Sequence, residues 1–158
     1  MSPPRPAVLI GVGNPFRRDD GIGPALAAAI SELALPGVTV LTSDGEPSRL
    51  LEAWWRASLA VVVDAACLDG GVPGRIHRHQ VAGEDLTDRW TSANSASTHG
   101  LGIAEAIHLA KAMDQLPERL VVFTVETDDI GYGEHLSPPV SASLAELTHV
   151  VLAELQSG

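Results

Sequence analysis

Short apolar runs of strand length alternate along this chain with stretches whose apolar residues recur every three or four positions. That alternation restricts the fold more than any other feature. Ala7–Val12, Val38–Leu41, Leu59–Val63 and Leu120–Val125 are the apolar runs, the third with three valines in a row. β-branched residues without polar alternation suit strands covered on both faces, as central parallel strands are. Gly21–Ala34 places Ile22, Ala25, Leu26, Ala29, Ile30 and Leu33 at helical spacing, and Pro36-Gly37 stops it. Further helices are expected from Pro47 or Ser48 to about Arg56, from about Gly100 to Met113, and from Ser137 to about Leu155. Ser137 suits a cap for the last, with Pro138 in the first turn, where its missing N–H costs nothing. Gly74–Gln80 reads as a short extra strand. The order β-α-β-α-β-(β)-α-β-α predicts a single α/β domain of three layers. A mostly parallel twisted sheet would carry helices on both faces, in a flavodoxin-like or phosphorylase-like arrangement.

One domain over residues 1–158 is the expectation for this length. The formal charge is −10, and Lys111 is the only lysine. A surface that tracks phosphates needs clustered Lys and Arg, so nucleic acid is excluded as an expected partner. No apolar run approaches the roughly 20 residues of a membrane span, and the first residues lack a secretory pattern. Cys67 is the only cysteine, so no intrachain disulfide forms, which fits a reducing cytoplasm. Its expected state is a buried, inert thiol, because no nearby base lowers its pKa. A cytoplasmic monomer is expected.

Three segments each bring one metal-capable or proton-handling side chain to a strand end or a helix start. They are Asp20 in Gly11-Val-Gly-Asn-Pro-Phe-Arg-Arg-Asp-Asp-Gly-Ile-Gly23, Asp64 closing Leu59-Ala-Val-Val-Val-Asp64, and His99 in Ser97-Thr-His-Gly-Leu-Gly102. In an open parallel sheet all three fall at the carboxyl edge, where such sheets bind ligands. Gly11-Val-Gly13 after a strand suggests a dinucleotide loop, but Phe16 stands where the third glycine belongs and two acids would repel a pyrophosphate. Asp19 and Asp20 together exceed what one helix cap needs. A helix N-terminus keeps the His99 imidazole neutral and able to coordinate a metal. Two aspartates and a histidine suit a divalent ion such as Ni²⁺, Zn²⁺ or Mn²⁺. His77 and His79 alternate on one strand face and are read as a solvated face rather than a second metal site.

Four pieces in order carry a resemblance: Gly11–Gly23, Val63-Asp64-Ala65, Ser97–Ile107 and Leu136-Ser-Pro138. Together they resemble the nickel–iron hydrogenase maturation endopeptidase family over nearly the whole chain. Two departures stand out: Asp44-Gly-Glu-Pro-Ser48 replaces the family's Asp-Gly-Gly-Thr, and Asp20 stands where some members have glutamate. The resemblance implies a single twisted sheet between helices. It also implies cleavage of the C-terminal extension from the nickel-loaded precursor of a hydrogenase large subunit. Asp20, Asp64 and His99 match the metal-contacting and catalytic positions, and the nickel would be supplied by the substrate and held only weakly by the free protein. Whether a carboxylate pair of aspartic type or the metal activates water stays open. A non-catalytic metal-binding module or nickel chaperone is the alternative. The loops at 83–96, with Trp90 as anchor, and 127–133 are expected to meet the precursor.

Overall fold

The computed structural model describes residues 6–81 and 98–157, with side chains from residue 102 onward in the second segment. The loop expected at 83–96 and Trp90 lie outside the described residues. Five strands form one sheet: β1 Ala7–Val12, β2 Val38–Ser43, β3 Leu59–Ala66, β4 Ile76–Gln80 and β5 Arg119–Glu126. The helices are α1 Ile22–Ser31, α2 Pro47–Trp54, α3 Thr98–Ala112 and α4 Pro138–Gln156, with a 3-10 turn at Arg18–Gly21. The strand order is β2-β1-β3-β5-β4. β1, β2, β3 and β5 run parallel, and β4 returns antiparallel along β5.

Strand alternation sorts the core into two halves. Val8, Ile10, Val12, Ala60, Val62, Leu120 and Val122 face Leu50 and Trp54 of α2 and Ile103, Ala106, Ile107 and Ala110 of α3. Leu9, Val61, Val63, Val121, Phe123 and Val125 face Ile22, Leu26 and Ile30 of α1 and Val140, Leu147 and Val151 of α4. The three layers are therefore α2 and α3, the sheet, and α1 and α4. β3 is buried at every position, as the triple valine predicts for a central strand. β2 and β4 form the edges, and Arg78 and Gln80 on exposed β4 positions discourage pairing with another chain.

Element ends differ from the sequence expectation where tertiary partners set them. β3 continues to Ala66 because β5 pairs with it to Glu126, so Asp64 lies within the strand. β2 runs to Ser43, paired with Val12. α2 stops at Trp54, followed by Arg56 in the left-handed region (φ 60). It begins on Glu46, whose carboxylate accepts from the Ser48 and Arg49 N–H groups at 3.2 Å each. Cys67 is exposed, not buried: it stands past the end of β3, beyond both core halves.

Glycines set how closely α1 meets the sheet. A Cβ on Gly23 would sit 2.3 Å from the Val12 carbonyl oxygen and 2.7 Å from that of Val63. A Cβ on Gly11 would meet the Gly23 oxygen at 2.3 Å. The first turn of α1 thus rests directly on the backbones of β1 and β3. Gly23→Ala is expected to push α1 off the sheet and cost about 2–3 kcal/mol, as overpacking against rigid backbone does. Urea unfolding with an unchanged m value measures it; a midpoint equal to the parent's would show that the contact is relieved at no cost.

Candidate active site at the carboxyl edge of the sheet

The order of the sheet reverses at β1, which sends the chain to β2 on one side while β3 lies on the other. A crevice opens where such a reversal occurs, outside the carboxyl ends of the strands. Here β1 pairs with β3 only as far as Gly11 with Val63, whereas its pairing with β2 continues to Val12 and Ser43. Asp64 is therefore the first residue of β3 beyond the reach of β1. Its parity, after Ala60 and Val62, puts it on the face covered by α2 and α3. It is 1% exposed, and its Oδ1 accepts the Ala65 N–H at 2.8 Å. Thr124 of β5, equally buried, pairs beside it.

Asp20 comes to the same carboxyl edge from the loop that follows β1. The 3-10 turn that carries it packs against β3. Gly13 makes this possible: its φ is +144, and a Cβ there would meet the Asp20 carbonyl oxygen at 1.9 Å. The Asp20 carboxylate accepts the Asn14 N–H at 2.9 Å, and the Asn14 side chain in turn accepts the Phe16 N–H at 2.9 Å. Asp20 is 8% exposed. His99 lies in the first turn of α3, and its side chain is outside the described residues. Its helix start belongs to this edge, because a Cβ on Gly102 would meet the Gly45 oxygen, past the end of β2, at 2.1 Å. Among the described residues, no three His, Cys, Asp or Glu side chains are gathered as a metal site.

Asp19, which sequence reasoning left without a role, is the structural partner of Asp20. Fully buried, it accepts from the N–H groups of Asp128 (2.8 Å), Asp129 (2.9 Å) and Ser137 (2.6 Å) and from the Ser137 hydroxyl (2.8 Å). Burial alone pushes its pKa up, but these four donors outweigh it and hold the carboxyl below its ordinary value. Contrary to the sequence expectation, Ser137 does not cap α4 with its hydroxyl, which it donates to Asp19. The only signal in the sequence was the surplus of acid over what a cap needs.

The loop at 127–133 is knitted to the loop after β1. Arg18 N–H donates to the Gly133 oxygen and Gly133 N–H to the Phe16 oxygen, each at 2.9 Å. Asp19 N–H donates to the Asp129 oxygen at 3.0 Å. Arg18 sits in the left-handed region (φ 47), a conformation a non-glycine residue keeps only where its surroundings over-determine it. Its Nε bonds the Tyr132 oxygen at 3.1 Å and its Nη1 pairs with Asp129 at 3.4 Å.

The histidines of β4 are not a solvated face. His77 Nε2 bonds Glu126 Oε2 at 2.9 Å, and the His77 and His79 rings stack with centroids 6.3 Å apart. Half-burial, and then the neighbouring His77, lower the pKa of His79. Glu126 is buried and would be raised by that burial; the His77 bond, the Val72 N–H and Arg75 lower it instead.

Comparison with known proteins bears on this arrangement. The family model HycI, hydrogenase maturation protease, matches residues 25–154. The match begins after Asp20, so the first motif stands outside it. The hydrogenase expression/formation protein HupD of Rhizobium leguminosarum bv. viciae is 28% identical, over 98% of this chain and 77% of its own length. The hydrogenase maturating endopeptidase HybD of E. coli superposes with a TM-score of 0.80 at 23% identity, covering 96% of this chain and 92% of that one. The [NiFe] hydrogenase maturation protease HybD of Thermococcus kodakarensis superposes with a TM-score of 0.75 at 18% identity, covering 96% and 99%. These structures share the fold seen here, and the three-layer expectation holds. With its family model matched over most of its length, the chain belongs to the hydrogenase maturation proteases, a family of peptidases.

Proposed function

We propose that this chain cleaves the C-terminal extension from a nickel-loaded precursor of a [NiFe]-hydrogenase large subunit, with Asp20, Asp64 and His99 as its working side chains. One observation supports the site: the 3-10 turn that carries Asp20 packs against β3, which β1 leaves at Asp64. One carboxylate from the turn after β1 and one from β3 then stand at the same carboxyl edge, and His99 opens a helix on the Asp64 face. The nickel is the substrate's, and the side chains would engage it and so hold the scissile peptide beside them. Such positioning replaces a bimolecular encounter.

The proton chemistry belongs to the carboxylates. One of them takes a proton from the attacking water as its oxygen bonds the scissile carbonyl carbon; the resulting carboxylic acid returns the proton to the leaving amide nitrogen as the C–N bond breaks. An aspartic-type pair and water activated beside the nickel share this step. The proposal places the protein in the cytoplasm as a monomer. One exposed cysteine and no disulfide accord with a reducing compartment. No helix among the described residues is long and apolar enough to cross a membrane.

Incubation with nickel-loaded precursor, followed by mass spectrometry, tests this reading. The expected result is one C-terminal mass loss, absent with nickel-free precursor. Binding without any mass loss would favour the non-catalytic metal-binding alternative. Calorimetry with Ni²⁺ and the free protein should show weak association, because two carboxylates and one imidazole leave much of the coordination sphere to water. Nanomolar affinity would contradict a substrate-borne metal.

A further inference from the structure

The two most exposed large apolar side chains among the described residues sit together beside the site. Tyr132 is 84% exposed and Phe16 62%. They stand on the two loops that knit Asp19 and Asp20 in place, joined directly by the Gly133 N–H to the Phe16 oxygen. The backbones beneath the rings are fixed from several sides. Asn14 bonds the Phe16 N–H, Arg17 Nε donates to the Ile130 oxygen at 3.1 Å, and Arg18 Nε donates to the Tyr132 oxygen. Rings on backbones fixed this firmly, yet left in water, bury little apolar area in the folded state. They do lower the ordering cost of binding a partner.

Charge gives the surface a second character. The Arg17 guanidinium lies over the Tyr132 ring, 5.5 Å from its centroid. Among the described residues no carboxylate pairs with Arg17, although the chain carries 20 acidic side chains. Tyr, Phe and Arg are the residue types enriched where protein interfaces bind most strongly. Continuity settles the occupant. Asn14, two residues before Phe16, donates to the Asp20 carboxylate, so a protein whose bond is cut beside Asp20 comes within reach of the loop that carries these rings.

We propose that Phe16, Arg17 and Tyr132 form the docking surface for the precursor protein, which offers them an apolar side chain flanked by a carboxylate. This rests on the proteolytic reading above. The surface contributes to capture of the precursor and not to the chemical step, so its loss belongs in KM.

Processing kinetics with full-length nickel-loaded precursor test it. The double variant Phe16→Ala/Tyr132→Ala is expected to raise KM at least fivefold, with circular dichroism and thermal midpoint as fold controls; a smaller rise overturns the surface. Tyr132→Phe keeps the ring over Arg17 and should hold KM within twofold; a fivefold rise there would assign the role to the hydroxyl and overturn the stacked-ring account. Arg17→Gln should flatten the salt dependence of KM, since an exposed charge pair is screened by salt. An unchanged slope removes the carboxylate from the proposal. If the parent protein does not cleave the precursor, the proteolytic reading falls and this surface with it. Cleavage by the parent with KM unmoved in the double variant removes the surface alone.

Discussion

Asp64→Asn is expected to abolish precursor processing, at least about a thousandfold in rate, while leaving the protein folded. The substitution keeps shape and volume at a position that is 1% exposed. The amide oxygen still accepts the Ala65 N–H that Oδ1 accepts now. What disappears is the ionisable carboxyl group at the point where β1 and β3 part, and with it the ability to take a proton from water. His99→Ala should show a similar loss if the imidazole helps engage the substrate's nickel. Rates come from the appearance of mature large subunit; folding is followed by circular dichroism and the thermal midpoint. An Asp64→Asn protein that processes within tenfold of the parent would take Asp64 out of the chemistry.

Asp19→Asn should produce the largest stability loss of any single change near the site, about 3–4 kcal/mol. Three donors converge on Asp19 Oδ2 and one on Oδ1. Whichever end of the amide carries its NH₂ then faces at least one N–H donor, and buried donors left unpaired cost about 1–3 kcal/mol each. The remaining bonds lose their charge assistance. For a domain of this size the thermal midpoint should fall by roughly 10 °C. The pH dependence has a definite sign. Asp19 has a folded-state pKa below its ordinary value, so its contribution is complete above the unfolded value of about 3.9. It is lost as pH falls through the folded value. The gap between parent and variant should therefore begin to narrow only below about pH 4 and close as pH falls through the lowered folded-state value. A gap that stays constant down to pH 2 would show that the carboxylate's charge is not what holds the loops.

The alternation of apolar runs and helical spacing gave the layer order, because burial on both faces is written into β3 residue by residue. Direction was not legible for β4: five residues of mixed polarity pair equally well either way, and only β5 beside them decides. Strand ends went unread for a similar reason, since Ser43 and Ala66 are held by partners distant in sequence. Asp64 stood out because acids are rare at the ends of apolar runs, and Asp20 because two acids at a helix start exceed what a cap needs. Asp19 did not, since its donors come from residues 109 to 118 positions away, and its neighbour carried the more visible motif. Ser137 was assigned the local role of accepting from its own helix, and the tertiary role of donating to Asp19 won. Phe16 and Tyr132 carry no periodic signal. They became notable only once two loops were seen to lock beneath them.

Parallel pairing has a consequence for biosynthesis. Ala7 registers with Leu59, and the clasp of Asp19 closes only on Ser137. Both pairings join segments distant in sequence, the second of them 118 positions apart. Contacts of such long sequence separation form late in folding. The loops that hold the acids of the first motif are therefore locked only once residue 137 has been synthesised and can fold back onto Asp19.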